Sequence, residues 1–564
     1  MGTIHMRIEI SKIRLLFSLA IALLLASLAQ ASTPGIKGPA FNLSATAAFI
    51  TQPDGQMVYS WGYGCTGGTA SGFLPSHITD GFCNTMQIPG PTLIVNEGDV
   101  VTVTLTNNLP ASAGNTSILF PGFQVCLGTI TSGVCNAPAS ANGVAGLLTQ
   151  EAAPGGTVTY SFIASTPGTR AYYSGTQGDL QVEMGMFGAI VVLPANVPAN
   201  CTIGKAADNL VAEGHWGEDD FRLAKSAYDH PDTCYDREYM FQFSEMDPAI
   251  HRQAEEQVSA TAATCTAHGA GSPGCSLNVP TEPYHPAYFM INGRSMPDNM
   301  DPNYAAEYPH QPYNGNPHMH PGELVLLRII GQGRWQHPFH EHGNHVRVLG
   351  RDGNLILSNS PITYAGTSAP ALAGPLLFTT TTTPGQAMDG IFYWTGKGLN
   401  WDPYGHHPGS SDPNATLPCT ADANGYNSAA VTALNYYEWC QDHNKPMQVS
   451  PFGDVGGGGP VTLPDPNLFT NGPWFGGSPY LGPDATTRAT FGTCTGSNNT
   501  TSCGTSGTTP PSGTIANDPS TEAGFAFMWH SHNEREITTN NIFPGGMLMM
   551  MLVDSREFVI DESN

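Results

Sequence analysis

Basic residues are scarce in this chain. Its 564 residues carry 20 Lys and Arg against 45 Asp and Glu, a formal net charge of −25. A surface this acidic repels phosphate backbones and anionic lipid, which argues against nucleic-acid partners. Long apolar runs are missing beyond the first thirty residues, so no later segment is suited to crossing a bilayer. There is no phosphate-cradling loop, dinucleotide fingerprint or Ser-His-Asp constellation, and no repeat of solenoid length.

The start of the chain has the layout of a secretory signal over residues 1–31. Arg7, Lys12 and Arg14 form a basic start, Leu15 to Leu28 is apolar, and Ala29-Gln30-Ala31 supplies small residues before Ser32. A secreted, periplasmic or cell-surface location follows, with no membrane span after signal removal. The twelve cysteines are Cys65, Cys83, Cys126, Cys135, Cys201, Cys234, Cys265, Cys275, Cys419, Cys440, Cys494 and Cys503. An even count in an exported chain points to disulfides. Pairing between nearest neighbours would close six local loops, and none of these cysteines adjoins the paired histidines described below.

Gly 65 and Pro 46, with few charges, suit a β-protein with long loops. Residues 32–45 read as a tail. A first domain is expected over 46–194, where the bend Pro89-Gly90-Pro91 precedes alternating strands and Glu97-Gly98-Asp99 turns between them. Evenly spaced strands with glycine turns argue for a Greek-key sandwich. Residues 195–235 read as a Cys-bracketed linker. A second β-domain is expected over 236–564, interrupted at about 395–521 by a Gly-, Pro-, Asn-, Ser- and Thr-rich insertion in which Ala429 to Cys440 suits a short helix.

Two His-x-His pairs carry the chemistry. His340 and His342 lie in His337-Pro338-Phe339-His340-Glu341-His342-Gly343, and His530 and His532 in Trp529-His530-Ser531-His532. Side chains alternate faces along a strand, so each pair projects to one side, with Glu341 and Ser531 on the other. Four imidazoles from two strands suit copper, zinc, iron or nickel. His318 and His320, in a proline-flanked turn, are further candidates. His406-His407 fits an exposed position, and Met547, Met549, Met550 and Met551 fit core packing on a terminal strand as well as thioether ligation.

These segments resemble the multicopper oxidases. Pro89 to Asp99 resembles the opening of that family's first cupredoxin domain. The segment His337 to Gly343 resembles its His-Pro-x-His-x-His-Gly motif, Trp529 to His532 its His-Cys-His motif, and Gly546-Met547 its closing Gly-Met. The resemblance implies an all-β chain of two cupredoxin-like Greek-key sandwiches, the second carrying the insertion, and it implies copper. It also exposes departures. Ser531 stands where the type 1 copper takes its Cys, and Glu536 where it takes a further His. His337 and Met547 remain, but a blue copper site needs a thiolate, and a serine hydroxyl stays protonated near neutral pH. In the first domain, Leu119-Phe120-Pro121-Gly122 and Tyr172-Tyr173-Ser174-Gly175 replace the family's cluster histidines.

What remains is the second domain's half of a cluster: His340, His342, His530 and His532, with His337, His318, His320 and Met547 as secondary candidates. The expected role is a redox-active copper protein without a type 1 copper, reduced directly by a small reductant, a metal ion or a redox protein. The competing roles are a non-catalytic copper-binding or scaffold module of an electron-transfer assembly, and a relic that uses no metal. Zinc is the competing ion, and an oligomer is possible.

Overall fold

A computed structural model describes residues 33–397, apart from 69–71, 79–80, 85, 128–129, 136–147, 203–219 and 365–366. It also describes 418–428, 438–441, 477–480, 524–554 and 560. The signal segment, most of the insertion, the segment expected as a helix over 429–440, His406-His407 and the pair Cys494/Cys503 lie largely or wholly outside these residues. The chain is sheet-rich throughout, with a single long helix among the described residues.

In the first half, a four-stranded sheet runs in the order Met57–Cys65, Ala40–Thr51, Val100–Asn107, Thr157–Ile163. It faces a five-stranded sheet that includes Gly168–Tyr173, Phe187–Leu193 and Leu93–Asn96. Alternation along Val100–Asn107 sends Val101, Val103 and Leu105 inward to meet Trp61, Tyr160 and Phe162. Within residues 32–45, read as a tail, Gly35–Lys37 and Ala40–Ala45 are strand instead. Gly35–Lys37 pairs parallel to Leu93–Asn96, and Ala40–Ala45 lies beside Thr102–Asn107. The apolar positions are too few there to show periodicity, and only the partner strands make the segment extended.

The long helix Pro248–His268 was not among the elements expected from the sequence, and its ends are set by local residues. Asp247 caps it, accepting from the Ala249 amide at 2.8 Å, Pro248 takes the first turn, and Gly269 stops it. Ile250, Ala254 and Val258 form a four-residue-spaced stripe, too narrow to stand out, that packs onto the core of the first half.

In the second half, a sheet centred on Arg237–Met246, Leu324–Gly331 and Ala387–Tyr393 packs on one ordered His318–Met319, Leu548–Asp554, Gly524–Ser531, His337–Glu341, Thr379–Thr382. Phe241, Phe243, Phe339, Phe527 and Trp529 fill the space between. The halves meet through an apolar seam that joins Ile94, Ala189 and Val191 to Met240, Ile330 and Ala387. Five disulfides, 65–83, 126–135, 201–234, 265–275 and 419–440, join nearest neighbours along the chain. No helix among the described residues is long and apolar enough to cross a membrane.

Candidate metal centre

The two histidine segments are neighbouring strands. His337–Glu341 runs antiparallel to Gly524–Ser531, with His340 opposite His530 and Phe339 opposite Ser531. Register and pleat therefore stack the rings of His340, His342, His530 and His532 on one face. The His340 ring lies 4.9 Å from His342, 5.6 Å from His530 and 4.8 Å from His532, centroid to centroid. His342 lies 5.1 Å from His530, and His530 lies 5.5 Å from His532. Three of the rings are buried, while the His532 side chain keeps 53% exposure and opens the cluster to solvent.

Outer contacts orient the rings. His340 Nδ1 lies 2.6 Å from Thr379 Oγ1, and His530 Nδ1 donates to the Ser531 carbonyl at 2.7 Å. With its proton committed to Nδ1, His530 carries its lone pair on Nε2, the arrangement a metal-binding imidazole needs. That Nε2 lies 3.3 Å from Nε2 of His342. Two imidazoles on one tetrahedral ion, with bonds of about 2.0 Å, would hold their nitrogens roughly 3.3 Å apart, so the donor chemistry and this spacing both fit a metal. Burial, with the like charge of His532 and His530, pushes His340 down to about 4, and burial lowers His530 as well. Both are neutral at pH 7. Among the described residues, however, no three His, Cys, Asp or Glu side chains already form a ready-made metal cage.

The other face of the same strands has a different chemistry. Ser531 points away from the histidines and donates to Glu536 Oε2. Glu536 also faces His337, whose Nδ1 lies 2.9 Å from the same oxygen, and His337 Nε2 lies 3.0 Å from Glu245 Oε2. All three of these ionisable side chains are buried. Burial opposes charge on the ring, but the two carboxylates outweigh it and push His337 up to about 9. A proton thus occupies each His337 nitrogen, and neither is left for copper. The residues at the type 1 position do not fit that metal. Met547, fully buried, packs in the aromatic core behind this network.

His318 and His320 are placed elsewhere. Their strand joins the far edge of the sheet, where His318 is level with Leu552 and Ala526. Two strand spacings and four residues of offset set it roughly 17 Å from His530. Glu341, buried and bonded by Thr380 Oγ1 at 2.7 Å, points away from the cluster, and burial raises its carboxyl well above the ordinary range. Sequence reasoning missed Glu245 and Thr379, which orient His337 and His340. Glu245 lies in an unbroken buried strand, where nothing local marks its partner.

The chain is similar to known proteins in two segments. Family models described as multicopper oxidase match residues 80–197 and 280–385, the latter including His337, His340 and His342. The chain is 35% identical over 108 residues to Laccase abr2 of Aspergillus fumigatus, covering 19% of this chain and 16% of that protein. It is 34% identical over 128 residues to Multicopper oxidase MCE of Talaromyces pinophilus, covering 22% and 19%. The chain thus spans less than a fifth of either relative. Among solved structures, Multicopper Oxidase mgLAC aligns with 93% of this chain and 88% of its own at 15% identity and a TM-score of 0.41. Blue Copper Oxidase from Nitrosomonas europaea aligns with 91% and 85% at 15% identity and a TM-score of 0.40. Its two matched segments and its all-β, cupredoxin-like architecture support the multicopper oxidase superfamily, whose members imply a copper cofactor.

Proposed function

We propose that this is an exported copper protein, redox-active through a four-imidazole site made by His340, His342, His530 and His532, and lacking a type 1 copper. One observation carries the reading: two adjacent strands bring four imidazole rings onto one face, two of them with Nε2 atoms 3.3 Å apart, while Glu536 and Glu245 tie His337 up on the other. Bound copper would supply one-electron chemistry. The chain's own residues orient the rings through Thr379 and the Ser531 carbonyl, keep His340 and His530 unprotonated, and leave His532 exposed to a small reductant or redox protein. Five disulfides favour an oxidising compartment, in keeping with export. The acidic surface equally suits a non-catalytic copper-binding or scaffold role in an extracytoplasmic electron-transfer assembly, and a turnover assay on loaded protein separates the two.

The test is metal content after copper loading and desalting, with spin resonance and a visible spectrum on the same samples, beside His342→Ala/His532→Ala. The expected result is about one copper per chain, lost in the double variant, with no intense blue band. Equal copper in both proteins, or none in either, would overturn the four-imidazole site, and an intense blue band would overturn the absence of type 1 copper.

A further inference from the structure

A chain of buried hydrogen bonds continues from His337 across the boundary between the two halves. Glu245, which holds His337 through Oε2, also takes the backbone amides of Arg334 and Trp335 on Oε1, each at 2.8 Å. The Tyr284 hydroxyl lies 3.2 Å from that same Oε1 and 2.7 Å from Oε2 of Glu183. Glu183 belongs to the first half, in the turn between Gly178–Gln181 and Phe187–Leu193, whereas Tyr284 and Glu245 belong to the second. Both carboxylates are almost fully buried. A phenol has one proton to donate, so Tyr284 cannot serve two ionised carboxylates at once.

We propose that Tyr284 is a proton-controlled latch between the two halves of the molecule. When Glu183 is ionised, Tyr284 donates to it, and Glu245 loses that donor. When Glu183 is protonated, it donates to the Tyr284 oxygen, and the phenol proton turns to Glu245. The protonated state is a continuous donor chain, Glu183 to Tyr284 to Glu245, and the ionised state breaks it at Glu245. One proton enters or leaves per cycle, and no covalent bond changes.

The groups facing Glu183 set where the latch turns. From the helix, Asp247 donates its backbone amide to Oε1 at 2.6 Å, and His251 Nε2 stands 3.7 Å from Oε1. Burial lowers His251 by more than its contacts with the Tyr59 and Glu183 carbonyls raise it. Glu245 adds negative charge. Arg334 adds positive charge, its guanidinium 4.1 Å from the Tyr284 ring centroid and paired with the exposed Glu282 at 2.6 Å. Burial outweighs the hydrogen bonds to the ionised form and pushes Glu183 up to about 8, so the latch turns at mildly alkaline pH. The inference does not depend on copper and is tested on metal-free protein.

The experiment is infrared titration of the protonated carboxyl stretch from about pH 6 to pH 10, on the full chain, Glu183→Gln and Tyr284→Phe. The native protein is expected to lose one buried carboxylic-acid band with a midpoint near 8. Glu183→Gln should lack that band. Tyr284→Phe should keep it but move its midpoint up by about one pH unit, because the ionised form loses a donor. Tyr284→Phe removes only a hydroxyl and preserves the ring packing, so it tests the latch even where Glu183→Gln fails to fold. No titrating buried band in the native protein, or an unmoved midpoint in Tyr284→Phe, overturns the latch.

Discussion

His337 and His340 stand three residues apart on one strand, and their rings end in opposite states. His337 is fully buried between Glu245 and Glu536 and holds its second proton up to about pH 9. His340 meets a threonine hydroxyl and three other imidazoles, and stays neutral down to about pH 4. Both lose hydration on burial, which alone would neutralise each of them. The partners decide: two carboxylates make a fixed cation, and neighbouring imidazoles make a set of lone pairs. The same comparison distinguishes the two faces of Gly524–Ser531, where Ser531 belongs to the ionic network and His530 to the open cluster. Two adjacent side chains of one strand can therefore sit in opposite chemical surroundings, because the pleat keeps the two faces separate.

The comparison is broken most strongly by removing a carboxylate from the ionic side. Glu245→Ala strands the His337 imidazolium and two backbone amides, and should cost about 3–5 kcal/mol in urea unfolding. His340→Ala, on the partly open side, should cost far less. A similar loss from both would show that the two faces are not distinct environments.

The second effect is on pH. His337 has a folded pKa raised above its ordinary value, so its stabilisation is complete below about pH 6.5 and is lost as pH rises through about 9. The shift corresponds to roughly 3 kcal/mol. Glu183 acts in the same direction, its contribution present below its unfolded pKa and lost as pH rises through about 8. Unfolding free energy should therefore fall from neutral to alkaline pH. In His337→Gln the fall should be smaller, with only the Glu183 part left, and an unchanged slope would refute the imidazolium.

A smaller change sharpens the open side. Thr379→Val removes the hydroxyl that fixes His340 Nδ1 and should weaken copper binding by about 10–100-fold without a comparable loss of stability. Competition titration with a chelator measures it, and unchanged affinity would place the orienting role elsewhere. The smallest expected effect belongs to Ser531→Cys. Restoring a thiol should produce no intense blue band on copper loading, because Glu536 and Glu245 still hold both nitrogens of His337. Appearance of that band would show that the network yields to copper.

The strand character of both halves, the pairing of each His-x-His on one face and the presence of a serine, not a cysteine, between His530 and His532 were legible in the chain itself. Alternation along a strand is a local rule, and Ser531 cannot become a thiolate in any fold. The even cysteine count pointed to disulfides but left their connectivity open, and the structure pairs ten of the cysteines with their nearest neighbours. The strand conformation within residues 35–45 was not, because it rests on partner strands at Phe73–Leu74, Leu93–Asn96 and Val100–Asn107 that are brought alongside only by the fold. The register that sets His340 opposite His530 was not either, with some 190 residues between them. Nor was the state of His337: Glu245 approaches from 92 residues upstream and Glu536 from 199 downstream. Residue identity and local spacing determined which groups could bind a metal or a proton. Only the packing of distant strands decided which of them meets lone pairs and which meets carboxylates, because charge in a buried site is set by what lies within a few ångströms in space.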